Sequence, residues 1–197
     1  SEAHQGDLSA VLLQNLNPLV NLIRVPKKPI ILMDEWESKI KAIVENTWNK
    51  DVNSLSGVPS WMLVLIKAVL KKTGREYLTD VWPNLEVFFH GGISFEPYRE
   101  QYKTLIPSDK MHYMETYNAS EGFFGLQDDP TDPSLLMMPD YGIFYEFIPM
   151  NEVGNAHPTV LPLESVETGK NYAMVITTSG GLWRYQIGDT VRFTSLF

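Results

Sequence analysis

Two segments of the sequence combine the residue types that nucleotide chemistry requires. The first runs from Glu115 through Tyr117-Asn118-Ala119-Ser120-Glu121 to Gly122, and we place it at the carboxyl end of a strand predicted over residues 111–117. In open α/β sheets, ligands bind at such ends. An aromatic ring can stack on a base, small residues allow close backbone approach, and a carboxylate can hold Mg²⁺ that carries phosphates. On spacing alone, an ordinary turn with a solvated glutamate is the simpler explanation.

The second segment is Gly181-Leu182-Trp183-Arg184-Tyr185-Gln186-Ile187-Gly188-Asp189-Thr190. Gly188 allows a sharp backbone turn, which is expected to leave the Asp189 carboxylate exposed at a strand end. A carboxylate there can accept hydrogen bonds from two vicinal hydroxyls, as the acidic residue of dinucleotide-binding folds does with ribose. Taken alone, however, the segment is better explained as a hairpin end with a turn-favouring Gly-Asp pair.

A third segment, His90-Gly91-Gly92, follows a predicted strand over residues 85–89. Two adjacent glycines let a ligand lie against bare backbone. His90 can line a pocket or provide a polar contact, although a lone histidine at a strand end is more often structural. The other three histidines show no metal-ligand spacing, and the absence of cysteine excludes the usual zinc motifs.

Glu146 lies in an otherwise apolar strand predicted over residues 141–148. A buried carboxylate needs a partner, and Arg184, on a later strand of the same β-rich half, is a candidate. An edge position facing water is an equally good alternative.

The secondary structure predicted around these residues is an α/β layer followed by mostly antiparallel strands. A strand over 85–89, a glycine turn and a helix over 94–105 form a unit typical of an open α/β sheet. Later strands are predicted over 141–148, 172–178 and 182–187, the last two joined by a Ser179-Gly180-Gly181 hairpin. We predict an N-terminal helix and linker over 1–29, an α/β subdomain over 30–125 and a β-rich subdomain over 126–197.

Three helices predicted in the first part of the chain have distinct patterns. The helix over 8–23 has one apolar face and is interrupted by Pro18. A helix with Asp34 and Glu37 as capping residues follows. The next begins at Pro59 and ends before Gly74; because residues 61–66 are all apolar, we expect it to be buried on every side there.

Composition narrows the class of protein. Hydrophobic residues make up 44% and charged residues 20% of 197 residues, which is typical of a globular chain. The net charge of -8 argues against a nucleic-acid partner, and the longest apolar run is far short of a membrane span. We expect a soluble cytoplasmic protein with neither nucleic-acid nor membrane partners.

The order of these segments resembles adenylate-forming enzymes. Tyr117-Asn118-Ala119-Ser120-Glu121-Gly122 is similar to their aromatic–small–small–Ser/Thr–Glu motif, and the segment from Arg184 to Asp189 is similar to their aromatic–x–x–Gly–Asp motif. Between them, the strand that ends in Glu146-Phe147-Ile148-Pro149 resembles that of the auxin-responsive acyl acid amido synthetases, the auxin-responsive promoter family. Gly57-Val58-Pro59-Ser60-Trp61 is similar to the segment that opens their acyl-site helix, and bacterial members are the nearest match.

The resemblance implies a role for each matching residue. Tyr117 would pack near the adenine, with Asn118 and Ala119 also in the nucleotide site. Ser120 would contact phosphate or acyl-adenylate, and Glu121 would bind Mg²⁺. The remaining roles are ribose binding (Asp189), the wall beside the adenylate (Gly91, Gly92) and the border of the acyl pocket (Trp61, His90). Plant members usually carry an arginine where this chain has Gln186.

The implied reaction uses ATP and Mg²⁺ and has two steps. A carboxylic acid is adenylated with release of pyrophosphate, and an amine, typically of an amino acid, then displaces AMP. One alternative function is that of an acyl–coenzyme A ligase of the same superfamily, which uses a thiol in place of the amine. A second alternative is a binding domain that kept the sheet of such an enzyme but lost its catalytic activity.

Two parts of such an enzyme have no counterpart in the sequence: the Gly- and Ser/Thr-rich phosphate loop, and the C-terminal domain that supplies a lysine. We therefore expect the 197-residue chain to lack adenylation activity by itself. Strands rich in Phe, Tyr, Ile and Val also lead us to expect that it self-associates or is a product of proteolysis.

Overall fold

The computed structural model describes residues 15–196, and the chain divides after Thr116 into two compact units. The part of the predicted N-terminal helix before residue 15 lies outside the described residues; a helix follows at Pro18–Ile23, with Pro18 in its first turn. The subdomain limits that we predicted from composition stay predictions.

The first unit is an α/β layer. Its helices are α1 (Pro18–Ile23), α2 (Lys28–Ile31), α3 (Trp36–Thr47), α4 (Pro59–Thr73) and α5 (Arg99–Leu105), with 3₁₀ turns at Leu78–Asp80 and Glu96–Tyr98. Its strands are β1 (Ser54–Gly57), β2 (Val87–Gly91) and β3 (His112–Ala119), the last of which continues into the second unit.

The three strands are parallel and lie in the order β1-β2-β3. Helix α4 connects β1 to β2, and α5 connects β2 to β3, because parallel neighbours need a crossover rather than a tight turn. The register pairs His90 with Glu115 and Gly91 with Thr116. The predicted parallel layer with crossover helices is confirmed.

The core of this unit lies between the helices and the sheet. Phe88, Trp82 and Tyr102 are almost fully buried. The Trp82 indole N–H and the Tyr102 hydroxyl each donate a hydrogen bond to a backbone carbonyl. The Tyr102 hydroxyl donates to the Pro59 carbonyl at 2.8 Å, and the Trp82 indole donates to the Thr47 carbonyl at 3.1 Å. These bonds fix the start of α4 and the end of α3, since a buried donor without a partner is costly.

Two expectations about the helices are wrong. The N-terminal cap of α3 is Glu35, whose carboxylate accepts from the Glu37 and Ser38 amides at 2.9 and 2.7 Å, rather than Asp34. The first half of α4 is not buried on every side, because the exposed fraction is 59% at Trp61 and 47% at Val64. An all-apolar run shows that any face can be buried, but only the neighbouring elements decide which face is.

The second unit is β-rich. It contains the end of β3 together with β4 (Gly122–Leu126), β5 (Leu136–Met137), β6 (Ile143–Pro149), β7 (Leu161–Pro162), β8 (Asn171–Thr178) and β9 (Tyr185–Arg192), and 3₁₀ turns at Met150–Glu152 and Leu163–Ser165. Strands β3, β4 and β5 are neighbours in that order, and β7-β6-β8-β9 form an antiparallel sheet. The prediction of mostly antiparallel strands over 140–193 is confirmed.

Strand β8 is central in the antiparallel sheet and is buried on both faces. Tyr172, Met174 and Ile176 lie in the larger core of this unit, while Ala173 and Val175 form a smaller cluster with Ile148 on the other face. A strand covered on both sides has no polar face, which explains its continuous apolar run. The β8–β9 hairpin is confirmed, but its second strand begins at Tyr185 and not at Leu182.

None of the helices within residues 15–196 is long and apolar enough to cross a membrane.

Candidate functional site

Ser120 and Glu121 form a two-residue turn between strands β3 and β4. Two-residue connections are the tightest hairpin links, and they fix the register of the strands they join. Strand β3 runs on to Ala119. Asn118 and Ala119 therefore lie within the strand, whereas the prediction ended it at Tyr117. Ser120 is exposed and Glu121 is half-buried, so both side chains can meet a ligand at the turn.

Asp189 is placed by an irregularity in strand β9. Ala173 pairs with Thr190 and Val175 with Gln186, so the single residue Met174 lies opposite three residues of β9. Gly188, in the middle of those three, has a φ of +95°, which a side chain would strain. The expectation that Asp189 lies at a strand end is therefore wrong: it lies inside β9, pushed out of the ladder by a bulge, as bulges often re-aim a side chain.

The structure brings Tyr117 and Asp189 together. The Tyr117 hydroxyl donates to Asp189 Oδ2 at 2.6 Å. The Tyr117 ring packs on Phe124, with 4.9 Å between the ring centroids, and the ring is half-buried. Burial, followed by the hydrogen bond to Asp189 and the charges of Asp189 and Glu121, raises the pKa of Tyr117. The phenol therefore stays protonated and remains a donor.

Glu121 lies in the turn that directly follows the strand of Tyr117, and its charge contributes to the raised pKa of Tyr117. Asp189, which is 72 positions away from Tyr117, thus adjoins a local pair: the Tyr117 ring and the Glu121 carboxylate four positions later in the turn. Such an arrangement can stack a planar base, accept hydrogen bonds from hydroxyls and share a cation with phosphates.

Comparison with known proteins identifies the family. A model of the N-terminal domain of the GH3 family matches residues 1–111, and a model of the central domain of that family matches residues 136–197. The chain belongs to the GH3 family. The resemblance to acyl acid amido synthetases drawn from the motifs is thereby confirmed.

Curated GH3 relatives are longer than this chain. Indole-3-acetic acid-amido synthetase GH3.4 of Arabidopsis thaliana is 30% identical over 170 residues, which cover 81% of this chain and 27% of the relative. Indole-3-acetic acid-amido synthetase GH3.8 of Oryza sativa subsp. indica is 37% identical over 128 residues, 59% of this chain and 20% of the relative. The 4-substituted benzoates-glutamate ligase GH3.12 of Arabidopsis thaliana is 28% identical over 186 residues, which cover 85% of this chain and 31% of the relative. The GH3 chain thus spans less than a third of the length of these relatives.

Solved structures of GH3 proteins share its fold. The structure of GH3.15 acyl acid amido synthetase matches with a TM-score of 0.71 and 16% identity, over 92% of this chain and 41% of that one. A structure of AtGH3.15 acyl acid amido synthetase in complex with 2,4-DB matches with a TM-score of 0.62 and 18% identity, over 80% of this chain and 35% of that one. At these identities the likeness shows the fold alone.

The first unit of this GH3 chain contains the other predicted site residues. His90 is buried, with 3% of its surface exposed, and its ring stacks on Phe95 at 4.2 Å between centroids. Burial, aided by the charge of Arg99, lowers the pKa of His90 to about 4, so the imidazole is neutral at pH 7. The His90 Nδ1 atom has no hydrogen-bond partner among the described residues. These features are those of a core residue.

The glycines and the tryptophan are more open. Gly91 ends strand β2, and Gly92 follows in an exposed turn with a φ of +81°. The backbone at Gly92 can therefore be approached closely. Trp61 is largely exposed and packs against Trp36 of α3, with 5.7 Å between ring centroids at an angle of 58°.

Arg99 and Glu115 form a charged group that the sequence analysis missed. Burial raises the pKa of Glu115, against the charge of Arg99, which lowers it. The Arg99 guanidinium lies 5.0 Å from the centre of the Phe95 ring and is 2.9 Å from the Glu96 carboxylate. A glutamate within the predicted strand over 111–117 was the available signal, because a carboxylate in such a strand needs a partner.

Glu146 and Arg184 form the ion pair that the sequence analysis considered, with 3.0 Å between Arg184 Nε and Glu146 Oε2. Strand β6 lies between β7 and β8, so the alternative of an edge position is wrong. Arg184 adopts a φ of +46°, which is unusual for a residue with a side chain, and its guanidinium is exposed whereas Glu146 is half-buried.

The second unit also has an open groove of about 560 Å³ beside the β8–β9 hairpin, with Phe144, Thr177 and Trp183 among its lining residues. Tyr117, Glu121 and Asp189 do not line it. Asp140 is the one titratable residue among those that line the groove, whereas Tyr117 and Asp189 are in direct contact, so the candidate site is centred on that contact and not on the groove.

Proposed function

We propose that this chain contributes the nucleotide-binding part of an ATP-dependent ligase. The ligase adenylates a carboxylic acid and transfers the acyl group to an amine, most simply that of an amino acid. Membership of the GH3 family supports the proposal, as do the names of its relatives, which are amido synthetases and a glutamate ligase.

The observation that carries the proposal is the contact between Tyr117 and Asp189. In a nucleoside the base and the ribose are joined by one bond, so the groups that hold them must adjoin. A ring that can stack on adenine and a carboxylate that can accept from ribose hydroxyls are 2.6 Å apart at their polar atoms. A chance pair of surface residues would not be supported by both a packed ring and a bulge.

The turn after β3 provides the groups for the phosphates. Ser120 is exposed and can donate to a phosphate or acyl-adenylate oxygen, while Asn118 and Ala119 precede it on the same strand. Backbone and hydroxyl donors in a tight turn bind anions well. Glu121 follows at the position from which a carboxylate can share a cation with the phosphates.

Magnesium fits this site as a co-ligand of the nucleotide. The described residues contain no group of three or more acidic or histidine side chains that could hold a metal by themselves. Mg²⁺ is usually bound through one or two carboxylates together with substrate phosphates, and Glu121 provides one such carboxylate. When bound, the ion would neutralise phosphate charge.

Residues of the first unit are proposed for the acyl group and the wall beside the adenylate. Gly92 has the open backbone that such a wall needs, and Gly91 precedes it. Trp61 presents an exposed apolar surface to an acyl group, whereas the burial of His90 leaves little imidazole surface for contact. Trp61 is therefore the stronger candidate of the two for the acyl pocket.

The chemistry follows from positioning. A carboxylate oxygen of the acid attacks the α-phosphorus of ATP, and the bond from that phosphorus to pyrophosphate breaks. The amine then attacks the acyl carbon, the bond to AMP breaks, and the amine loses a proton. Tyr117 and Asp189 would hold the nucleoside still, and effective molarities in such arrangements account for much of the rate.

Pyrophosphate release by the intact gene product tests the proposal. We expect release that depends on ATP and on a carboxylic acid from a panel of aryl and alkyl acids, and formation of an amide once amino acids are added. Formation of a thioester with coenzyme A, and no amide, would favour the acyl–coenzyme A ligase instead. Failure of the intact protein to bind MgATP would contradict both.

A cytoplasmic location and independence of nucleic acid and membranes are also proposed, and they rest on composition. Self-association of the chain is supported by exposed apolar side chains in the first unit, such as Trp36, Trp61 and Val64, because water is a poor neighbour for them.

A further inference from the structure

We propose that the Tyr117 hydroxyl is a positioning group, which holds the Asp189 carboxylate in the orientation that accepts the ribose hydroxyls. The inference rests on the proposed function. It gives Tyr117 a second task besides stacking, and it makes the two residues a preformed unit that selects ribonucleotides.

Asp189 needs such support. Its side chain is exposed and lies in the bulge of β9 after Gly188, where the regular ladder that would fix the backbone is interrupted. A free carboxylate in water samples several rotamers, and holding one of them in advance lowers the entropy cost of ligand binding.

Tyr117 is well suited to provide the support. It lies within the regular part of β3, and its ring packs on Phe124, which is buried. The donor is thus fixed by a strand and by the core of the unit. Burial and the hydrogen bond to Asp189 also raise the pKa of Tyr117, so the hydroxyl is a donor at neutral pH.

The contact leaves room for the ligand. A carboxylate has two oxygens and about four lone-pair sites, and the hydroxyl uses one site on Oδ2. Asp189 can still accept from vicinal hydroxyls. The opposite possibility is that the hydroxyl occupies the ribose position and must be displaced, in which case its removal would improve nucleotide binding.

The test uses the intact gene product and compares MgATP with its 2′-deoxy and 3′-deoxy analogues by calorimetric titration. In Tyr117→Phe the ring remains and only the hydroxyl is lost. We expect the Kd for MgATP to rise about tenfold, the usual effect of losing a hydrogen bond to a charged group. The Kd values of the deoxy analogues should rise less, so that the preference for ribose falls. Tyr172→Phe is the matched control, because its hydroxyl accepts from the Glu167 amide at 2.9 Å and should leave that preference unchanged.

A double-mutant cycle with Asp189→Asn shows whether Tyr117 acts through Asp189. In the Asp189→Asn background, we expect Tyr117→Phe to leave the ribose preference unchanged. Should Tyr117→Phe fold poorly, Asp189→Asn alone must still abolish most of the preference. An unchanged preference in Tyr117→Phe, or tighter binding of MgATP, would overturn the inference while leaving the proposed function standing. A wild-type protein that binds no adenine nucleotide would overturn both.

Discussion

The two units treat the polar side chains of their strands in opposite ways. In the first, His90 lies in strand β2 and is enclosed by aromatic rings, its pKa is lowered to about 4, and its Nδ1 atom has no hydrogen-bond partner within residues 15–196. In the second, Tyr117 and Asp189 meet at the surface, where a core-packed ring supports a bulged carboxylate. The first arrangement excludes a ligand from the imidazole, and the second leaves acceptor sites open to one.

The comparison teaches that residue type and strand position do not separate core from site; packing does. His90 and Asp189 each lie beside glycine and near a strand, yet only Asp189 keeps its charge exposed. Changes in the second unit should therefore affect binding and catalysis, and changes at His90 should affect stability.

The largest expected effect is at the turn of the second unit. In Glu121→Gln, acid-dependent pyrophosphate release by the intact protein should fall by about 10²–10³, the usual cost of losing one group that stabilises charge in a transition state. The melting temperature should change little, because the side chain lies in a turn. Glu167→Gln, which removes a surface carboxylate paired with Lys170, serves as the control. Equal loss of activity in the two variants would show that Glu121 has no special role.

A smaller effect, on stability alone, is expected at His90. Because its pKa is lowered to about 4 in the folded protein, the unfolded state takes up the proton first as the pH falls. The stabilising contribution is present above the unfolded pKa of about 6.5 and is lost as the pH falls towards 4, by up to about 3 kcal/mol. Urea unfolding between pH 7 and 4.5 should show this loss in the wild type but not in His90→Gln. Parallel pH profiles would mean that the imidazole titrates freely.

The smallest expected effect is at the ion pair between Arg184 and Glu146. An exposed pair contributes about 1 kcal/mol or less, and both Arg184→Ala and Arg184→Gly remove it. Glycine adopts the positive φ of this position without the strain that a side chain causes. The free energy of unfolding of Arg184→Gly, measured with denaturant, should therefore be about 1 kcal/mol higher than that of Arg184→Ala. The reverse order would show that this backbone conformation carries no strain.

Much of the fold was predictable, because local patterns carry it. A strand, a glycine turn and a helix indicated parallel pairing around His90, and Ser179-Gly180-Gly181 indicated the last hairpin. The bulge of β9 was not predictable, because the register of β8 against β9 is set by which side chains the sheet buries. The exposed face of α4 was missed for a similar reason: burial depends on neighbours that lie far away in sequence.

The order of the segments around Tyr117 and Asp189 was enough to propose the residues of the candidate site, and their roles stay predictions. Their geometry was not predictable, because a hydroxyl–carboxylate contact across 72 positions cannot be derived from spacing. Arg99 and Glu115 escaped notice because the electrostatic interaction between them arises only when β3 and the start of α5 come together.

The bulge in β9 contains two extra residues, and that even number has a consequence for how such a sheet can evolve. Side chains alternate along a strand with a period of two, so Ile187, at the start of the irregular stretch, and Val191 and Phe193, beyond it, all pack against the core. Loss of one residue would turn Val191 and Phe193 outward and expose the core. Loss of two would restore a regular ladder with the core intact and remove the carboxylate. Deletion of two codons would therefore remove the proposed ribose-binding carboxylate and keep the core, whereas deletion of one codon would expose the core.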